Sequence, residues 1–188
     1  MKNTMLPASP SNDIPKPESH GYLYGGASVA LLSTPPYSAE LQAAARAGKL
    51  LPKDYTDVNH SFAAAAGGVV SNAEDLAIWI RSLVTGRVFN ADYQQRWRDG
   101  LLLEDAHNAE GARYGYGIVQ MHWGPNAYFY HGGETPGFNS FIGYDEANKV
   151  TLVVWTNLTV SLDQSLTANS IMVKVLDHIY AVSPIAKK

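Results

Sequence analysis

Between Gly115 and Asn157 the chain changes its hydrophobic period, and no other feature constrains the fold as much. Upstream, apolar residues recur at three- and four-residue spacing. Here aromatic and β-branched residues gather in runs at 116–122, 127–131, 138–144 and 149–157. Gly-Pro-Asn, Gly-Gly and Asp-Glu-Ala-Asn separate them, residues that suit tight turns. Links this short join antiparallel neighbours, because a parallel pair needs a crossover of about a dozen residues or more. The stretch therefore predicts an antiparallel meander of about four to five strands, whose apolar face needs a cover.

Helical segments supply it. Ser71-Asn-Ala-Glu74 has the spacing of a capping box, in which a serine and a glutamate three residues on satisfy two orphan amides. Leu76, Trp79, Ile80, Leu83 and Val84 then form one stripe, and Gly86 stops the run. A short helix is expected over 92–99, and an alanine-rich one over 39–48 after the Pro35-Pro36 break. Leu162, Leu166, Val173, Leu176, Ile179 and Tyr180 share one face of a last helix, placed to cover the sheet. His20–Tyr24 reads as a short strand ended by Gly25-Gly26, residues 49–62 as loop, and residues 1–19, with four prolines, as an extended lead-in to a domain over 20–188. The fold class is α+β, a mainly antiparallel sheet flanked by helices.

Composition narrows the function. Fourteen basic against 17 acidic residues leave no positive field to attract nucleic acid or anionic lipid. No run approaches the roughly 20 apolar residues of a membrane span, and residues 1–10 lack the apolar core of a signal peptide. With no cysteine there is no thiolate metal site and no cysteine nucleophile. The six histidines are scattered and form no His-Glu-x-x-His pair, so neither metal nor other cofactor is expected. Gly26-Ala-Ser28-Val-Ala30 lacks the second glycine of a nucleophile elbow. Asn59-His-Ser61 and Asn157-Leu-Thr159 are sequons that carry little without a secretory signal.

Tyr130-His-Gly-Gly-Glu-Thr-Pro-Gly-Phe138 is the candidate site. Two glycines after His131 let a ligand or another backbone come close, and an edge strand there offers unpaired amides to a substrate. The same residues also suit a plain glycine-rich hairpin.

Taken in order, 64–77 (AAAGGVVSNAEDLA), Tyr114-Gly-Tyr-Gly117, His131-Gly-Gly133-Glu-Thr-Pro-Gly-Phe138 and a strand ending Thr156-Asn157 resemble the C-terminal part of the serine β-lactamase and D,D-peptidase superfamily. The branch with class C β-lactamases, D-alanyl-D-alanine carboxypeptidases and family VIII esterases is most similar, over about residues 20–181. Enzymes of that family bring three motifs to one cleft: Ser-x-x-Lys as nucleophile and base, Tyr-x-Asn or Ser-x-Asn for proton transfer, and Lys/His-x-Gly on the sheet edge. The resemblance gives His131 the third motif's role of orienting substrate, places Gly132 and Gly133 against it, and makes the Glu134 backbone amide an oxyanion donor. It also implies a periplasmic or extracellular setting.

The first two motifs have no counterpart in this sequence. No lysine has a serine three residues before it, and none of the 11 tyrosines, nor any serine, has asparagine two residues later. The expectation is thus a C-terminal segment of a penicillin-recognising serine hydrolase, acting on an amide, β-lactam or ester, without a nucleophile of its own and inactive alone. The alternative is a non-catalytic binding or assembly module using the same sheet edge, and between the two the question of catalysis by this chain stays open. Expected partners are a small-molecule or peptide substrate, the N-terminal half of the same hydrolase, or a second copy drawn to an uncovered apolar face.

Overall fold

The structure is a computed structural model that describes residues 1–8, 14–25 and 37–182. The Gly26-Ala-Ser28 stretch, Pro10 and the Pro35-Pro36 break lie outside the described residues. In chain order the elements are β1 (Tyr22–Leu23), α1 (Ala39–Arg46), β2 (Lys53–Asp54), a 3-10 segment (His60–Ala66), α2 (Ala73–Val84), α3 (Ala91–Asp99), β3 (Leu102–Leu103), β4 (Arg113–Gly115), β5 (Ile118–Trp123), β6 (Asn126–Thr135), β7 (Phe138–Asp145), β8 (Val150–Thr156) and α4 (Thr167–Val182). Strands β3 to β8 form one six-stranded antiparallel sheet in sequence order, and β1 pairs with β2 in a small second sheet.

The expected meander is present, with two differences. The sheet gains two short strands, β3 at its edge and β4 beside it, which carry too few residues to show alternation. More important for function, β6 does not turn at Gly132-Gly133 but runs through both glycines to Thr135, and Pro136-Gly137 makes the turn. Gly137 has φ +96°, a conformation glycine adopts without penalty, and Pro136 before it favours such a two-residue reversal. The glycine pair is held extended by β7, which pairs with every residue from Phe129 to Thr135.

Each face of the sheet is closed by helices of this chain. On one, Ile80, Leu83 and Val84 of α2 and Trp97 of α3 pack on Ile118, Phe129 and Tyr144. On the other, Ala168, Met172 and Leu176 of α4 pack on Tyr128, Phe141 and Val154. Tyr128 and Phe129 are adjacent in sequence yet serve opposite clusters, as the two-residue period of a strand requires. Fully burying an aromatic such as Phe141 contributes about 1.5–3 kcal/mol, so these clusters carry the fold. They also overturn the expectation of a bare apolar face awaiting a separate N-terminal half or a second copy.

The helix over 73–84 is as expected, but its cap is one residue later. Asn72 Oδ1 accepts from the Asp75 amide at 2.9 Å, whereas Ser71 Oγ lies 2.7 Å from Thr4 Oγ1. Asparagine is as good a cap as serine, and the neighbouring Thr4 claims the serine hydroxyl. The buried Asp75 carboxylate accepts from the amides of Lys2 and Asn3 and from Thr4 Oγ1, and Met5 bridges Val70. The start of the lead-in is thereby tied to α2. Burial works to raise the Asp75 pKa, but the Thr4, Asn3 and Lys2 hydrogen bonds outweigh it and the net direction is down.

Candidate functional site

Strand β6 has two unlike halves. Residues 126–130 pair with β5 on one side, and the pairing with β5 ends at Tyr130. Residues 131–135 pair with β7 alone, so among the described residues no strand covers their other edge. The cause lies in β5, whose chain reverses at Tyr116-Gly117 just before Ile118. Both turn residues have positive φ, +49° and +74°, the geometry of the tight reversal that suits adjacent strands.

Which backbone groups face the open edge follows from one hydrogen bond. Asn139, on β7, donates from Nδ2 to the Gly133 carbonyl at 2.8 Å. That carbonyl therefore points towards β7. In a trans, planar peptide the following N–H points the opposite way, so the Glu134 amide is directed at the open edge. Alternation along the strand turns the Gly132 amide the same way. The two-residue turn between the paired Thr135 and Phe138 demands the same arrangement.

The sequence-predicted residues are contiguous along this edge. His131 is opposite Ile142, which packs against the α2 side of the core, and its ring lies 6.2 Å from that of Tyr114, centroid to centroid. Gly132 would accept a Cβ in ordinary contact with Ser140 O and Asn169 Oδ1, at 3.6 and 3.9 Å. Gly133 would not, because its Cβ would stand 2.6 Å from Ser140 Oγ. The Glu134 side chain is exposed as a whole, yet partial burial of its carboxyl raises the pKa from its ordinary value.

Sequence reasoning did not find Tyr114, Asn139 or Ser140 as members of the site. Asn139 carried a signal, since an asparagine amid the apolar residues of a central strand has to find partners for both ends of its amide. It is 1% exposed, and its Oδ1 accepts from the Ala168 amide at 2.7 Å in the first turn of α4. Thr159, also buried, donates to the Thr135 carbonyl at 2.8 Å. A polar platform of side chains thus holds the extended glycines from the α4 side. Among the described residues no group of three or more histidines and carboxylates is gathered to hold a metal ion, and no helix is long and apolar enough to cross a membrane.

Comparisons with known proteins agree with this architecture. The sequence profile described as Beta-lactamase matches residues 7–176, and the chain belongs to that family. Among solved structures, a D-stereospecific amidohydrolase from Streptomyces sp. superposes with a TM-score of 0.68 at 19% identity, over 96% of this chain and 44% of the other. D-amino acid amidase from Ochrobactrum anthropi SV3, complexed with L-phenylalanine amide, gives 0.67 at 21% identity, over 97% of this chain and 47% of the other. A penicillin binding protein from Bacillus halodurans gives 0.59 at 17% identity, over 87% and 41%. At such identities the likeness is one of fold. The chain spans under half the length of these three structures. A search of the curated proteins finds no match.

These findings correct the reading of the chain as merely a C-terminal segment of the family fold. The family match begins at residue 7, ahead of the 20–181 stretch that carried the resemblance, and structural matches take in 96–97% of the chain. The expected pairing with a separate N-terminal half falls with that reading.

Proposed function

We propose that the open edge of β6 binds the acyl part of an amide or lactam, with the Glu134 N–H donating to the acyl carbonyl oxygen. The observation that carries this is the Asn139 to Gly133 bond, which turns that N–H outward on a strand with no neighbour there. An extended ligand laid along the edge meets the Gly132 and Glu134 amides at the spacing of a strand partner. A carbonyl so held is polarised, and negative charge developing on its oxygen is stabilised by the same donor. His131 stands at the entrance of the edge with its imidazole available to a carboxylate or amide of the ligand. Support also comes from the family, and from the amide-acting relatives, one named for D-stereospecificity and one for D-amino acids. The proposal concerns recognition and polarisation of the carbonyl; the sequence contains no Ser-x-x-Lys pair to attack it.

Titration of 15N-labelled protein with D-phenylalanine amide tests the proposal. The Gly132 and Glu134 amide signals should move together with a common saturation curve. Glu134→Pro removes the donor on an edge that tolerates proline, and should abolish the response while the fold persists. Unchanged affinity in that variant, or shifts confined to other strands, would refute the assignment.

A further inference from the structure

Asn139 of β7 faces the buried, α4 side of the sheet, and its side-chain hydrogen bonds have a chemical direction. The Gly133 carbonyl that it engages and the Glu134 N–H belong to one peptide group. A donor on the carbonyl draws electron density towards oxygen and leaves the N–H more positive, the cooperative strengthening found in chains of hydrogen bonds. The Asn139 amide is itself polarised, because Oδ1 accepts from Ala168 at 2.7 Å, with Asn169 N at 3.4 Å, where the positive end of the α4 dipole lies. The series therefore runs from the α4 amide through Asn139 to the Gly133–Glu134 peptide and ends at the open edge. Every link is buried or backbone, and the bond to Ala168 fixes which end of the Asn139 amide faces Gly133.

We infer that Asn139 is the positioning residue of the carbonyl site, holding the Gly133–Glu134 peptide in place and strengthening the Glu134 N–H as a donor by coupling it to the α4 N-terminus. The inference rests on the carbonyl-binding role proposed for that N–H. It singles out ligands by their carbonyl: an amide or lactam should feel the loss of Asn139, and a ligand of the same shape without a carbonyl should not.

The experiment uses the full chain and three readouts. In the unmodified protein the Asn139 side-chain amide protons should exchange with solvent at least about a hundredfold more slowly than those of an exposed asparagine, which requires no variant; fast exchange overturns the inference. In Asn139→Ala and Asn139→Ser, the Gly133 carbonyl 13C and Glu134 amide proton signals should both move upfield. D-phenylalanine amide should bind roughly three- to tenfold more weakly, while D-phenylalaninol, which keeps the ring and amine but has no carbonyl, binds as before. Equal weakening of both ligands would reduce Asn139 to general support of the fold and overturn the inference. If the unmodified protein binds neither ligand but the two signals move, the carbonyl site is wrong and the peptide coupling stands. If the signals stay where they are, the coupling is wrong whatever the ligands do.

Discussion

The two halves of β6 are one strand put to two uses. Residues 126–130 are paired with β5, the last two of them with β7 as well, and alternate Tyr128 and Phe129 into two separate clusters. Residues 131–135 are paired on one side, carry two glycines and leave an edge open. The first half is stabilised by apolar burial, the second by polar side chains beneath it, Asn139 and Thr159. An edge strand with free amides is a hazard that proteins ordinarily cover. Keeping it straight here requires the backbone carbonyls to be held from behind.

If that contrast is right, the largest effect belongs to the buried half. Phe141→Ala, opposite Gly132 but with its ring in the α4 cluster, should lower stability by about 3–5 kcal/mol in urea denaturation. A loss below about 1 kcal/mol would mean that the cluster does not hold the sheet. Next comes a comparison within the glycine pair. Gly133→Ala forces a Cβ against Ser140 Oγ and should cost about 1–3 kcal/mol, while Gly132→Ala should cost no more than about 0.5 kcal/mol. Adding Ser140→Ala, whose Cβ stands 4.0 Å from the new methyl, should recover most of the Gly133→Ala loss. Additive losses would show that glycine at 133 answers to something other than Ser140.

Two smaller effects serve as controls outside the strand. Asn72→Ala should cost about 0.5–2 kcal/mol by loss of the α2 cap, leaving ligand binding at β6 unchanged. Ser71→Ala should cost less, because its hydroxyl serves Thr4 and not the helix amides. The exposed pair of His20 Nδ1 and Asp54 Oδ2, 2.7 Å apart, should give a shallow pH dependence. Its hydrogen bond with Asp54 raises the His20 pKa, so that support is complete below about 6.5 and fades as pH rises through the raised value. The bond to His20, then those from Thr56, lower Asp54 to about 2, so its share holds above its ordinary value and is lost as pH falls through about 2. Asp54→Asn should bring the His20 titration, followed by NMR, back towards its ordinary value; no movement would mean that the pair is absent in solution.

Much of this was legible in the residues. Alternation located β5, β6, β7 and β8, and the three-four spacing located α2, because each pattern is set by a face that must be buried. The cap was displaced by one residue because Ser71 and Asn72 are equivalent as sequence, and the choice depends on Thr4, remote along the chain. Gly132-Gly133 looked like a turn because glycine's local preferences are weak; the pairing with Phe141 and Ser140 overrides them. His131 and Glu134 stand inside the family motif, whereas Asn139 lies just beyond it in the 138–144 run. Its role depends on α4, which local spacing cannot place.

Hydrogen exchange along β6, read residue by residue, tests the central claim most directly. The account predicts slow exchange throughout 128–130, then alternation, with Gly133 and Thr135 protected by β7 and Gly132 and Glu134 exchanging fast at the open edge. Uniform protection from 131 to 135 would show that the edge is covered, and uniform fast exchange would show that the glycines are not held as a strand; either result contradicts the account.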